Sequence, residues 1–147
     1  MNSILSGCYS LSNLPNLSRW DTSKVKYMNY MFSRCSDLNS LPNISNWNTE
    51  NVIEMNSMFR SCSKLTTLPD ISRWNINKVK GMKGMFYYCT NLTTIPDLSR
   101  WNISKIDIYG MFCGCKLSPQ SLSCVSNWDK KIHSEIVETS KSICLIF

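Results

Sequence analysis

The sequence predicts an α/β fold: a right-handed solenoid of about five 27-residue repeats, each with one short parallel strand and one short helix. Three observations predict it. Tryptophan recurs at Trp20, Trp47, Trp74, Trp101 and Trp128, always 27 residues apart. A short apolar run precedes each of them, and in the first four units it carries a proline. Beyond the Trp, apolar residues are spaced as along one face of a helix. A period of this size marks stacked supersecondary units.

The strand comes first in each unit. Leu14, Leu41, Leu68, Ile95 and Leu122 stand six residues before the Trp, followed by Pro15, Pro42, Pro69, Pro96 and, in the last unit, Ser123. Leu17, Ile44, Ile71, Leu98 and Val125 stand three before it. Leu68 to Trp74 is too short and too broken by Pro69 for a helix, and fits a strand with proline at its entrance. Next come Asp21, Asn48, Asn75, Asn102 and Asp129, residues that suit a helix N-cap or a turn. Val79, Met82, Met85, Phe86 and Cys89 then follow at spacings of 3, 3, 1 and 3, which predicts a helix of two to three turns. A single unit cannot bury that apolar side, so neighbours stack to share a core. A strand–helix–strand crossover is expected to be right-handed.

The columns W-[N/D]-T-x-x-V (Trp20 to Val25, Trp47 to Val52) and M-x-x-M-F-x-x-C-x-x-L resemble the BspA-like leucine-rich-repeat surface proteins. The resemblance spans about residues 1 to 128. It implies a leucine-rich-repeat-like solenoid used in adhesion or protein binding, and it carries no catalytic residues over to this chain.

Two regions are expected: a repeat array over 1–128 and a C-terminal cap helix and tail over 129–147. Met1, Ile4 and Leu5 align with Met28, Met31 and Phe32, so the array starts mid-repeat. After Trp128, Ile132, Ile136, Val137 and Ile143 form an irregular amphipathic stretch.

Composition narrows the function. The 147 residues carry 16 Lys and Arg against 10 Asp and Glu, a mild net charge of +6. A single histidine, His133, leaves little for acid–base chemistry, and it stands where earlier units carry Val or Ile. Phosphate-cradling, zinc-hydrolase and nucleophile-elbow motifs are missing. An enzyme is not expected, nor any cofactor. Nucleic acid is not expected as a partner, because no basic stripe dominates.

Cysteines and termini offer further readings. Cys8, Cys35, Cys62, Cys89 and Cys115 form a repeat column, expected to be buried free thiols that pack as small apolar residues. Cys113, Cys124 and Cys144 lie off it and could pair in an oxidising compartment. Cys113, Cys115, Cys124 and His133 lack the paired spacing of structural zinc, so no metal is expected. Leu5-Ser6-Gly7-Cys8 looks like a lipobox, but only four residues precede it and the repeat already explains its Leu and Cys. Cys144-Leu145-Ile146-Phe147 fits a prenylation signal, which would anchor the chain to a membrane through Cys144. Asn16, Asn43, Asn91 and Asn102 are glycosylation sequons. A cytoplasmic or membrane-associated place is favoured for the chain, with the cell surface as the alternative that the resemblance implies.

Exposed columns are the candidate binding site. Asn16, Asn43, Asp70 and Asp97 form one ladder, Arg19, Arg73 and Arg100 with Asn46 and Asn127 another, and Lys24, Lys78 and Lys105 a third. The expectation is a non-catalytic module presenting a polar concave surface to a protein or glycan partner. The alternative is a structural spacer, or a membrane-anchored repeat protein prenylated at Cys144.

Overall fold

The computed structural model describes residues 1–128. The expected cap helix over 129–147, with His133 and Cys144, lies outside the described residues. Within them the α/β expectation is overturned: there is no strand and no sheet, and the single helix is α1, Pro119–Ser123. Neither the strand nor the helix predicted for each repeat is present.

The segment expected to be helical sends its N–H groups to the next repeat. Met28, Tyr30, Phe32 and Arg34 donate to the carbonyls of Glu54, Asn56, Met58 and Arg60 at 2.6–3.0 Å. The next interface repeats the pattern, with Met55, Ser57, Phe59 and Ser61 donating to Gly81, Lys83, Met85 and Tyr87. Met82, Gly84, Phe86 and Tyr88 then donate to Asp107, Tyr109, Met111 and Cys113. Parallel bridges link Tyr27, Glu54, Gly81 and Asp107 in succession. An N–H bonded across the stack cannot also close the i→i−4 ring of a helix.

Two left-handed residues per repeat break any helix directly. Ser3, Tyr30, Ser57, Gly84 and Gly110 form one positive-φ column, and Gly7, Arg34, Ser61, Tyr88 and Gly114 another four residues on. Between and after them the chain closes tight turns: Ser33, Cys35 and Leu38 donate to the carbonyls of Tyr30, Phe32 and Cys35. Turns three residues apart aim Met28, Met31, Phe32, Cys35 and Leu38 inward, and none has exposed area. The spacing that reads as a helical face is thus met by consecutive turns.

The segment expected to be a strand is also built of turns. Trp20, Trp47, Trp74 and Trp101 donate their backbone N–H to the residue three before, Leu17, Ile44, Ile71 and Leu98. An Asx turn precedes each of these closures, so the chain bends where a strand would run straight. The parallel pairing of this molecule therefore lies after the Trp, where a helix was expected.

Side chains stack in register between repeats. Phe32, Phe59, Phe86 and Phe112 form a column with centroids 5.3, 5.5 and 5.4 Å apart and nearly parallel rings. Trp20, Trp47 and Trp74 stack at 6.1 and 6.3 Å. Trp47 and Trp74 donate Nε1–H to the carbonyls of Leu17 and Ile44 in the preceding repeat. Cys35, Cys62, Cys89 and Cys115 donate Sγ–H to carbonyls one repeat back. Thr22 and Thr49 bond forward to Asn48 and Asn75. The buried indoles of Trp47 and Trp74, the column thiols and the Thr22 and Thr49 hydroxyls thus find their partners in a neighbouring unit.

Candidate functional site

The first predicted ladder proves to be engaged in its own backbone. Asn16, Asn43, Asp70 and Asp97 accept, through Oδ1, the N–H of Ser18, Ser45, Ser72 and Ser99 at 2.9–3.0 Å. Ser45 and Ser72 add their hydroxyls to the same oxygen. These bonds from Ser72, with Arg73 nearby, hold the Asp70 carboxyl below its ordinary value. The backbone and hydroxyl of Ser99 do the same for Asp97, helped by Arg100. The Asn-x-Ser sequons at Asn16, Asn43 and Asn102 are the same device, with Asn102 accepting from Ser104.

The second ladder is exposed. Arg19, Asn46, Arg73, Arg100 and Asn127 all face solvent. Asn127 donates to the Ser99 carbonyl at 2.6 Å. Arg100 borders a shallow cavity of about 360 Å³ with Trp101, Asn102 and Trp128. In the third ladder Lys78 donates to Asn51 at 2.7 Å, while Lys24 and Lys105 are exposed.

A different surface stands out, one that the ladders do not include. Among the described residues the exposed large apolar side chains are Ile4 and five of the six tyrosines: Tyr9, Tyr27, Tyr30, Tyr88 and Tyr109. All six tyrosines fall in the hydrogen-bonded segment that joins the repeats or just beyond it, at 27–36 in unit numbering. The sequence held this signal, since no tyrosine occurs in the Pro-to-Val part of any unit.

The backbone sets these rings in place. Tyr30 and Tyr88 occupy the two left-handed columns, with φ of 56° and 58°. Tyr88 packs over Gly114, where an added β-carbon would come within 3.1 Å of its ring and 3.3 Å of its Cα. Tyr87 and Tyr88 lie with centroids 4.7 Å apart, and the Arg60 guanidinium sits 4.9 Å above the Tyr87 ring. A guanidinium at this distance is attracted by the ring's electron-rich face.

Asparagine buttresses the same segment. Asn2, Asn29 and Asn56 accept, through Oδ1, the N–H of Asn29, Asn56 and Lys83 in the following repeat. Asn29 also donates to Glu54 at 2.8 Å. Lys64 pairs with Asp37 at 2.7 Å and Lys83 with Asp107 at 3.0 Å, both exposed.

Of the repeat-column cysteines, Cys8 is exposed and Cys35, Cys62, Cys89 and Cys115 are buried free thiols. Burial pushes the Cys35 thiol up to about 11 and the Cys115 thiol up to about 12. Cys124 is free and half-buried, and Cys113 is disulfide-bonded. Among the described residues no group of three or more His, Cys, Asp or Glu could hold a metal ion. No helix among them is long and apolar enough to cross a membrane.

The chain belongs to the family described as Mycoplasma protein of unknown function, DUF285, whose model matches residues 1–132. No curated protein matches the chain. No solved structure matches it either.

Proposed function

We propose that this member of the DUF285 family is a non-catalytic, protein-binding repeat module whose contact surface is the tyrosine-bearing segment. One observation carries the reading: five tyrosines stand exposed on the segment that hydrogen-bonds repeat to repeat. Tyrosine presents a large amphipathic area with few rotatable bonds, and it is enriched with arginine where proteins meet. The stack beneath holds these rings on a backbone hydrogen-bonded to a neighbouring repeat, so little order is lost on docking. The resemblance to BspA-like surface repeats supports an adhesion or interaction role.

The repeat supplies the variants for the test. Serine stands at Ser3 and Ser57 in the column of Tyr30, and at Ser61 in the column of Tyr88. Asn29 and Asn56 occupy the column of Tyr109. The triple variant Tyr30→Ser, Tyr88→Ser, Tyr109→Asn therefore uses residues that the fold already accepts there. Immobilised wild-type chain should retain a defined protein from extracts of its native cells. The triple variant should lose that protein, and the variant Arg73→Ala, Arg100→Ala should keep it. Equal retention by the triple variant would reject this surface.

A further inference from the structure

We infer, building on the protein-binding reading, that the tyrosine-bearing segment docks an acidic polypeptide segment. The charges of that segment point to it. Its carboxylates are all engaged within the chain: Asp37 with Lys64, Asp107 with Lys83, and Glu54 with the amide of Asn29. The cations Lys26, Arg34, Arg60, Lys80 and Lys116 have no carboxylate partner among the described residues. The two aspartates of the segment are thus paired with lysines and Glu54 keeps its charge under one amide hydrogen bond, so the five cations leave the segment with a net positive charge. Such a patch steers and orients a partner of opposite charge.

The adjacent Tyr87 and Tyr88 rings suit a polypeptide better than a stacked base or sugar. Stacking needs a free ring face. The Tyr87 face is covered by Arg60, and Tyr88 lies against Gly114 with its ring tilted 36° to that of Tyr87. Each of these two rings thus has one side occupied within the chain, and their edges and hydroxyls remain for a ligand. A tyrosine hydroxyl donates to a carboxylate, and Arg34 can take a carboxylate with two parallel N–H groups.

The test measures fluorescence anisotropy of the whole chain with three labelled probes: a Glu-rich peptide, an oligothymidylate and alginate. The peptide should bind, and added salt should weaken it roughly tenfold by screening exposed charges. Arg34→Glu with Arg60→Glu should abolish binding, Lys26→Glu with Lys80→Glu should weaken it, and Arg73→Glu with Arg100→Glu should leave it unchanged. Thermal melts confirm that each variant is folded. Failure of the peptide to bind, or equal binding by the Arg34→Glu, Arg60→Glu variant, overturns the inference. Binding of oligothymidylate or alginate instead, with the same dependence on Arg34 and Arg60, also overturns it. The binding reading itself falls only if the tyrosine variant keeps the captured protein, so the two failures are distinguishable.

Discussion

The side chain of Asn56 fills the space above Gly81: its Oδ1 lies 2.7 Å from where a β-carbon on Gly81 would stand. The same oxygen accepts the N–H of Lys83 at 2.9 Å. Gly81 is thus small because the asparagine ladder crosses over it. Gly81→Ala must push the amide aside and break that bond. Overpacking of this kind costs about 1–3 kcal/mol. In an Asn56→Ala background the same substitution should cost less, because the obstruction is gone. Urea unfolding of the two single variants and the double variant checks this, and additive losses would disprove the coupling.

The left-handed columns make a prediction of opposite signs. Ser61 holds φ of 58° in a column where Gly7 and Gly114 also stand. A left-handed side chain costs roughly 1–2 kcal/mol, and glycine's extra chain entropy returns part of that. Ser61→Gly should therefore stabilise the fold by about 0.5–1 kcal/mol. Gly114→Ala should destabilise it by more than the left-handed cost alone, since Tyr88 crowds that site as well. Thermal melts of both variants test the pair, and a fall in Tm for Ser61→Gly would contradict it.

The tryptophan column separates a hydrogen bond from packing. Trp74 donates Nε1–H to Ile44 at 3.1 Å, while the buried Nε1 of Trp101 has no partner among the described residues. Trp74→Phe removes this bond while the Ile44 carbonyl keeps the backbone N–H of Trp47, a loss of about 0.5–1.5 kcal/mol beyond the change in volume. Trp101→Phe removes a donor that was already unsatisfied. Its measured cost should be smaller by roughly 1 kcal/mol or more. Equal losses in denaturant unfolding would mean that the indole bond contributes nothing.

The period and the inward columns were legible in the sequence, and the element types were not. Met28, Met31, Phe32 and Cys35 are buried, as their spacing requires. A helix and a run of tight turns both place residues three and four apart on one side, so apolar spacing cannot tell them apart. The distinguishing mark is the left-handed pair. It was hidden because serine, tyrosine and arginine share its columns with Gly7, Gly84, Gly110 and Gly114. The Asx-x-Ser motif likewise reads as a polar ladder until its oxygen is seen bonded two residues on. The clustering of tyrosine needed only the columns to be counted. Its exposure, and the internal pairing of Asp37, Asp107 and Glu54, needed the geometry.

The buried thiols set a pH limit on the stack. Burial, with the neighbouring Cys8, raises the Cys35 thiol from 9.0 to about 11, and burial raises Cys115 to about 12. Cys62 and Cys89 move the same way, because desolvation again disfavours the thiolate. The native state thus holds these protons more tightly than the unfolded chain does. Their contribution is fully present below pH 9 and is lost as the pH climbs toward 11 and 12. Tm should fall over that range, and replacing Cys35 and Cys62 by Ala should flatten the fall relative to wild type at the same pH. Iodoacetamide should label exposed Cys8 in the folded chain while Cys62 and Cys89 react only on unfolding. Labelling of Cys62 at the rate of Cys8 in the folded protein would show that the hydrogen bonds from Sγ to the preceding repeat do not hold the column closed.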